Sequence, residues 1–441
     1  MKPEFFGTDG LRGVGFTDLN AKLAYNLGQG LKEALKSDTV VIGMDTRDSS
    51  PMLAHMVAAG ALSVGMDVLF AGVVSTPMIA HYSKLKQIAG IMITASHNPY
   101  TDNGIKVFSK GYKSNVEEEL IIESYIKGKV SESDFEGNFS ITDDVEKEYL
   151  KLIKKLDLKK SNIKLVYDSA NGANHLIASK VMKEYFPLSI QINNEPNGKN
   201  INLNSGSTHL ESIKDFILKN KMDLGFAYDG DGDRVIMLDN NGTIYDGDFI
   251  IYIVGKYLKK LKELKGNHVV LTKMSNPGIL KALNNSGINY VLTDVGDKYV
   301  HKALVDNDYV IGGEASGHII LRHILHSGDG LLASLYILKM LEEENITLSD
   351  AVKDVNLYPL KMVNIKNVNK NILHEQEVID YLDKIKSEFD KEDIFLVRAS
   401  GTENLIRVTI SCLDLDKLNK YMDEVVSFIE QKGQIKWKHM D

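Results

Sequence analysis

Along the first third of the chain, short β-branched runs alternate with stretches whose apolar positions recur every three or four residues. Val40 to Met44 reads as a strand, Met52 to Val64 as a helix, Val68 to Phe70 as a strand, Pro77 to Leu85 as a helix and Gly90 to Thr94 as a strand. Such alternation predicts an α/β layered domain, because each sheet face needs a helical layer to cover it. The pattern recurs twice. Leu165 to Tyr167, His175 to Tyr185, Ile190 to Ile192, Leu210 to Leu218 and Leu224 to Tyr228 make the second cycle. Val269 to Thr272, Ile279 to Leu283, Tyr290 to Thr293, Tyr299 to Val305 and Tyr309 to Ile311 make the third. The last part differs: a helix over Glu375 to Phe389, strands at Ile394 to Arg398 and Leu405 to Ser411, and a helix over Leu415 to Gln431 predict a small α+β unit. Charged, helix-rich joints, the last an Asn/Lys-rich stretch at Asn364 to Asn371, divide the chain into residues 1–155, 156–256, 257–365 and 366–441.

With 441 residues the chain exceeds what one hydrophobic core supports, in keeping with several domains. The net charge of −8 and the lack of a long basic block exclude a general nucleic-acid role, so any phosphate must be gripped locally. Cys412 is the sole cysteine, which rules out an internal disulfide and a multi-thiolate zinc site and suits a reducing cytoplasm. The segment Met1 to Phe6 has no apolar run ahead of a cleavage site, and Phe249 to Val254 and Leu331 to Met340 fall short of the ~18 residues a membrane span needs. Neither export by a signal peptide nor membrane passage is expected.

The last predicted strand of each cycle runs into a distinctive loop. These are Thr94-Ala-Ser96-His97-Asn98-Pro99, Asp229-Gly-Asp231-Gly-Asp233-Arg234 and Gly313-Glu314-Ala315-Ser316-Gly317-His318. Ligands of α/β sheets sit beyond the carboxyl ends of strands, so the three loops are expected to converge on one cleft. Ser96 is a candidate nucleophile at a strand end, with His97 and Lys106 as a local positive field; its plain alternative is an Asx-type turn with a solvated histidine. No G-x-S-x-G surrounds it, which argues against an α/β-hydrolase. Asp229, Asp231 and Asp233 alternate with glycines that turn the backbone tightly, a pattern that aims three carboxylates at one hard cation, magnesium or manganese. A calcium EF-hand would want Gly where Arg234 stands and Glu where Asn240 stands. Arg234 is placed to hold a phosphate oxygen beside the metal.

Glu314, Ser316 and His318 offer a carboxylate, a hydroxyl and an imidazole within one turn, a set suited to sugar hydroxyls. Arg398, Ser400, Gly401, Thr402 and Arg407 combine small hydroxyls, a Gly turn and two guanidinium groups between strands, which reads as an anion pocket. Phe6 to Gly13 is too glycine-rich for a helix and puts Arg12 in a pinned loop facing a phosphate. No G-x-x-x-x-G-K-[S/T] occurs, and no G-x-G-x-x-G follows a strand, so nucleotide-hydrolase and dinucleotide readings lose their support.

These five segments, in this order, resemble the α-D-phosphohexomutase family along essentially the whole chain. Phe6 to Gly13, Asp168 to Ala173, Asn194 to Gly198, Met274 to Asn276 and Ser327 to Gly330 are most similar to its bacterial branch that acts on hexosamine phosphates. The resemblance implies three similar mixed α/β domains plus a C-terminal α+β domain around a central cleft. It implies a phosphoserine at Ser96 and one magnesium ion held by Ser96, Asp229, Asp231 and Asp233. It places Arg12, His97, Lys106 and Arg234 near the transferred phosphoryl group, Glu314, Ser316 and His318 at the sugar, and Arg398, Ser400, Gly401, Thr402 and Arg407 at the non-reacting phosphate. The implied reaction moves a phosphoryl group between C6 and C1 of a hexosamine or hexose phosphate through a sugar 1,6-bisphosphate, in a cytoplasmic monomer or homodimer. Ala315 and Gly232 lean toward the branch acting on mannose and glucose phosphates, so the sugar stays open. A non-catalytic sugar-phosphate sensor and a magnesium phosphatase are the other readings.

Overall fold

The computed structural model describes residues 3–7, 9–131, 133, 136–400 and 404–433. It divides into two compact units, residues 1–272 with 293–352, and residues 273–292 with 353–441.

In the first unit, the opening sheet has the order Phe6–Gly7, Gly10–Val14, Asp102–Ser109, Ala89–Ile93, Thr39–Met44, Asp67–Val73, Phe139–Ile141. Its centre is parallel, with Thr39–Met44 between Ala89–Ile93 and Asp67–Val73. Val40, Val41, Ile42, Ile91 and Ile93 are wholly buried there, the β-branched composition expected of strands covered on both faces. Helices Ala21–Leu35, Ser50–Ser63, Thr76–Lys86 and Val116–Ile126 accompany them. Their starts are written in the sequence: Asn20 accepts from Leu23 N, and Asn115 with Glu118 forms a capping box. Arg12 lies on the strand Gly10–Val14, not in the loop expected, because two short antiparallel strands fold the glycine-rich start against Asp102–Ser109.

The second sheet orders Ile190–Ile192, Leu165–Asp168, Leu224–Tyr228, Val235–Asp239, Ile244–Tyr245. A third is built on His268–Thr272, Ile311–Gly313 and Ile319–Leu321. The expected strand Tyr309 to Ile311 runs instead from Ile311 to Gly313. A Cβ on Gly312 would lie 2.8 Å from Val270 Cβ, so glycine admits the close strand contact that its low β-propensity argues against. In all three sheets the strand before the distinctive loop is followed by an antiparallel partner: Asp102–Ser109, Val235–Asp239 and Ile319–Leu321. The loops are therefore hairpin connections.

The apolar stretches at 249–254 and 331–340 belong to the buried helices Gly247–Lys260 and Gly330–Glu344. Among the described residues no helix is long and apolar enough to cross a membrane.

In the second unit, Leu360–Lys366, Leu405–Ser411 and Ile394–Ala399 form an antiparallel sheet, with Val408 and Ile410 packed in one core with Leu418, Met422 and Val425 of the helix Leu415–Gly433. The joint expected at 365/366 is corrected: Leu360–Lys366 pairs residue for residue with Leu405–Ser411, so this unit begins before it. Asn364 and Lys366 alternate with the core residues Val363 and Ile365 and hide the strand from a hydrophobicity reading, because only one of its faces is covered.

Asp329 caps the helix Gly330–Glu344 by accepting from Leu332 N, and receives the Tyr149 hydroxyl at 2.8 Å. Burial raises its pKa to about 6. Tyr149→Phe leaves that buried carboxylate short of a donor and should cost about 1–3 kcal/mol. A lowered thermal-unfolding midpoint checks it, and an unchanged midpoint would refute the assignment.

Candidate active site

The serine loop begins where the fully buried strand Ala89–Ile93 ends. Thr94 Oγ1 accepts from Ser96 N at 3.0 Å, which closes a tight turn, and Ser96 takes φ +53, the left-handed region a β-carbon disfavours. Its buried Oγ donates to Asp229 Oδ2 at 2.6 Å and lies 3.3 Å from His97 Nδ1. Burial, then the positive Arg234 and Arg12, lowers the His97 pKa to about 4. His97 is neutral near pH 7, which corrects the expectation that it adds positive field.

Leu224–Tyr228, buried throughout, delivers the acidic loop to the same point. A Cβ on Gly230 would lie 2.6 Å from Ser96 O, so only glycine lets the two loops approach this closely. The acidic loop's carbonyls are pinned from three directions: Gly230 O by Ala173 N at 2.7 Å, Asp231 O by Thr76 N at 3.0 Å and Gly232 O by Gly330 N at 3.0 Å. Thr76 Oγ1 also donates to Asp231 Oδ2 at 2.5 Å.

Asp229, Asp231 and Asp233 each present one oxygen within 4.8 Å of the others. Asp231 Oδ1 and Asp233 Oδ1 are buried without a hydrogen-bond partner. Burial, then Asp233 and Asp231, drives the Asp229 pKa well above its usual range. Three hard oxygen donors gathered away from water, on carboxylates of which two oxygens accept no hydrogen bond, fit a hard divalent cation.

Cations of the protein surround this cluster. Lys106, on the strand Asp102–Ser109, reaches Asp231 at 2.8 Å, Asp233 at 3.1 Å and Asp9 at 3.3 Å. Burial opposes its charge, but these carboxylates hold its pKa well above the usual value. The third loop joins through an antiparallel bridge between Arg234 and His318. His318 Nδ1 is 3.6 Å from Asp233 and its Nε2 is 3.7 Å from Asp297. Burial works against the imidazolium, yet Asp233 and Asp297 raise its pKa. Lys113 lies 2.5 Å from both Asp297 and Asp9. Asp9, Lys106, Asp233, His318, Asp297 and Lys113 thus close a ring of alternating sign.

Profiles described as phosphoglucomutase/phosphomannomutase alpha/beta/alpha domains I, II and III match residues 3–132, 147–242 and 246–358, and the C-terminal domain profile matches 346–428. The chain belongs to the phosphoglucomutase/phosphomannomutase family. It is 41% identical to the phosphoglucosamine mutase of Clostridium acetobutylicum, over 97% of this chain and 99% of that protein. It is likewise 41% identical to that of Caldicellulosiruptor saccharolyticus, with the same coverage. Among solved structures, a family protein from Burkholderia thailandensis shares the fold with a TM-score of 0.81 at 20% identity, covering 97% of both chains. Aspergillus fumigatus N-acetylphosphoglucosamine mutase, solved with GlcNAc-6P and magnesium, gives 0.67 at 16% identity, over 98% of this chain and 96% of that one.

Within this family member, Ser96, His97, Lys106, Asp229, Asp231, Asp233, Arg234 and His318 come together as the sequence suggested. Arg12 joins them through Asn98 Oδ1 at 3.2 Å and Asp9 at 2.6 Å. Glu314 is tied back by Gly296 N, which donates to its Oε1 at 2.9 Å, and Ser316 is exposed. In the second unit, Arg398 and Arg407 stand directly opposite on paired strands, with Arg398 Nε buried and unpartnered. Burial and then Arg407 depress the Arg398 pKa, so an anion there would relieve both. Ser400 N bonds Leu405 O at 3.0 Å, and Gly401 and Thr402 lie outside the described residues.

Sequence reasoning missed Asp9, Thr76, Lys113 and Asp297. Asp9 sits in the glycine-rich start and Asp297 follows Gly296 at the first position of the helix Asp297–Asp306, so turn and helix-start chemistry is the signal that could have found them. Nothing local marks Thr76 or Lys113.

Magnesium at about 100 times its dissociation constant should stabilise the protein by about 2.7 kcal/mol. Thermal unfolding with magnesium and with chelator checks this. Asp231→Asn should lose most of the shift, and a wild-type midpoint indifferent to magnesium would count against the site.

Proposed function

We propose that this chain is a phosphoglucosamine mutase, interconverting glucosamine 6-phosphate and glucosamine 1-phosphate through a phosphoserine at Ser96 and a 1,6-bisphosphate. The observation that carries the reading is the Ser96 hydroxyl 2.6 Å from a carboxylate of a cation-ready acidic triad, in a chain 41% identical over nearly its full length to phosphoglucosamine mutases. Phosphoryl transfer needs alignment and charge neutralisation more than covalent help.

In the forward step the Oγ–P bond of phosphoserine 96 breaks as a sugar hydroxyl oxygen bonds the phosphorus and gives up its proton. Arg12, Lys106 and Arg234, all cationic, neutralise the phosphoryl oxygens. The proton of the sugar hydroxyl ends on Ser96 Oγ as the Oγ–P bond breaks, and it leaves Ser96 for the departing sugar oxygen when the second phosphoryl group returns; His97, neutral and 3.3 Å from Ser96 Oγ, is placed to relay it. Asp229, Asp231 and Asp233 with Ser96 would hold magnesium, which supplies further neutralisation of the transferring group when bound. Glu314, Ser316 and His318 orient the sugar. Arg398, Ser400, Gly401, Thr402 and Arg407 bind the phosphate that does not react, which keeps the bisphosphate from escaping. The buried single cysteine suits a cytoplasmic setting. Ala315 and Gly232 favour one second reading, the same chemistry on glucose or mannose phosphate.

Turnover of glucosamine, glucose and mannose phosphates, measured side by side with magnesium and trace 1,6-bisphosphate, should be fastest for glucosamine phosphate without steady release of free phosphate. Equal or faster turnover of the other sugars would reassign the substrate, and stoichiometric phosphate release would make the protein a phosphatase. Ser96→Ala should lose about 10³-fold or more in kcat. Arg407→Ala should raise KM about tenfold or more with a smaller change in kcat, since a bidentate charge-assisted contact is worth roughly 1.5–3 kcal/mol; an unchanged KM removes Arg407 from the binding site.

A further inference from the structure

Beyond the strand Thr39–Met44 the chain reads Asp45-Thr46-Arg47, and Arg47 is one of the largest fully buried side chains. Its five N–H groups are all committed. Nε donates to Asp45 Oδ2 at 2.8 Å. Nη1 donates to Asp102 O at 2.9 Å and to Pro99 O, while Nη2 donates to Ser96 O at 3.0 Å and Asn98 O at 2.9 Å. One guanidinium therefore collects four backbone carbonyls of the serine loop and its exit. Asp45 is itself fixed, accepting from Arg47 N at 3.0 Å and Ser50 Oγ at 2.6 Å.

A second donor reaches two of the same carbonyls from a turn that follows the strand Ile190–Ile192 of the second sheet. Asn202, buried and itself at φ +58, donates Nδ2 to Ser96 O at 2.8 Å and to Asn98 O at 3.0 Å. Ser96 O is thus held by two donors on its two lone pairs, which fixes the peptide plane after Ser96. That is the plane a residue at φ +53 would otherwise relax. An exposed turn with Asn-Pro at its end has no such need; a buried arginine spending every donor on one loop does.

We propose that Arg47, with Asn202, is a positioning clamp that holds Ser96 in its left-handed conformation and thereby aims Oγ along the line of phosphoryl transfer. Neither side chain hydrogen-bonds Ser96 Oγ; both act through the backbone of residues 96–102. Lysine cannot replace this arginine, because an ammonium offers three donors with no planar fork. The inference rests on the phosphoserine reading of Ser96.

The test is phosphoryl loading of Ser96 in the full-length protein, followed by intact mass with glucose 1,6-bisphosphate as donor, alongside steady-state kinetics. Wild type that never loads refutes the phosphoserine reading itself. If wild type loads, Arg47→Lys should load at least about 100-fold more slowly, with kcat falling in step and KM within about threefold of wild type. Asn202→Ala, which removes one neutral donor, should lose about tenfold in the same kcat-only manner. Magnesium-induced thermal stabilisation should persist in both, which a general loss of structure would not allow. Loading of either variant within threefold of wild type overturns the clamp. So does a loss carried by KM. If Arg47→Lys does not fold, Asn202→Ala alone decides.

Discussion

The first unit depends on solving one electrostatic problem, the burial of several carboxylates within one short loop. Two like charges about 4 Å apart at an effective dielectric near 20 repel by about 4 kcal/mol, and a few such repulsions rival the whole margin of about 5–15 kcal/mol that keeps a domain folded. Asp229, Asp231 and Asp233 sit together in that way, each nearly inaccessible to water. The protein supplies Lys106, Arg234 and His318 against them, yet Asp231 Oδ1 and Asp233 Oδ1 still accept no hydrogen bond. A site that has to be finished by an external cation is one that can recruit charge where phosphoryl oxygens will lie.

The ring through Asp9, Lys113 and Asp297 extends the same solution outward. Every acid in it faces bases on both sides, so no charge is buried alone, the condition under which removing one partner becomes most damaging. Because its members come from all three sheets of the unit, electrostatic balance and the mutual placement of the three loops are the same fact. The hairpin form of the loops makes this possible. A strand, a tight loop and an antiparallel return leave the loop anchored at both ends, so a side chain at its tip is fixed to the precision of two strands. Gly230 then lets the acidic hairpin press on the backbone of the serine hairpin.

Much of this was legible in the sequence for physical reasons. The α/β cycles announced themselves because buried parallel strands are β-branched runs and their covering helices are amphipathic. The three loops stood out because glycine, asparagine and proline punctuate strand ends, and the Asp-Gly alternation had few readings besides a cation. Strands such as Asp102–Ser109 and Leu360–Lys366 escaped notice, the first because Lys106 is buried by salt bridges and the second because one face is solvated.

By itself, then, the sequence determined the layered class, the repeated cycles, the C-terminal α+β unit and the residue types at three loop tips, since these follow from periodicity and backbone preference within a few residues. The tertiary structure decided which loops meet, that His97 is neutral and Lys106 charged, that Asp9, Lys113 and Asp297 close a ring, and that Arg47 grips the serine loop. Those outcomes depend on distances between groups separated by tens to hundreds of residues and on the exclusion of water from between them. No local pattern along the chain encodes either quantity.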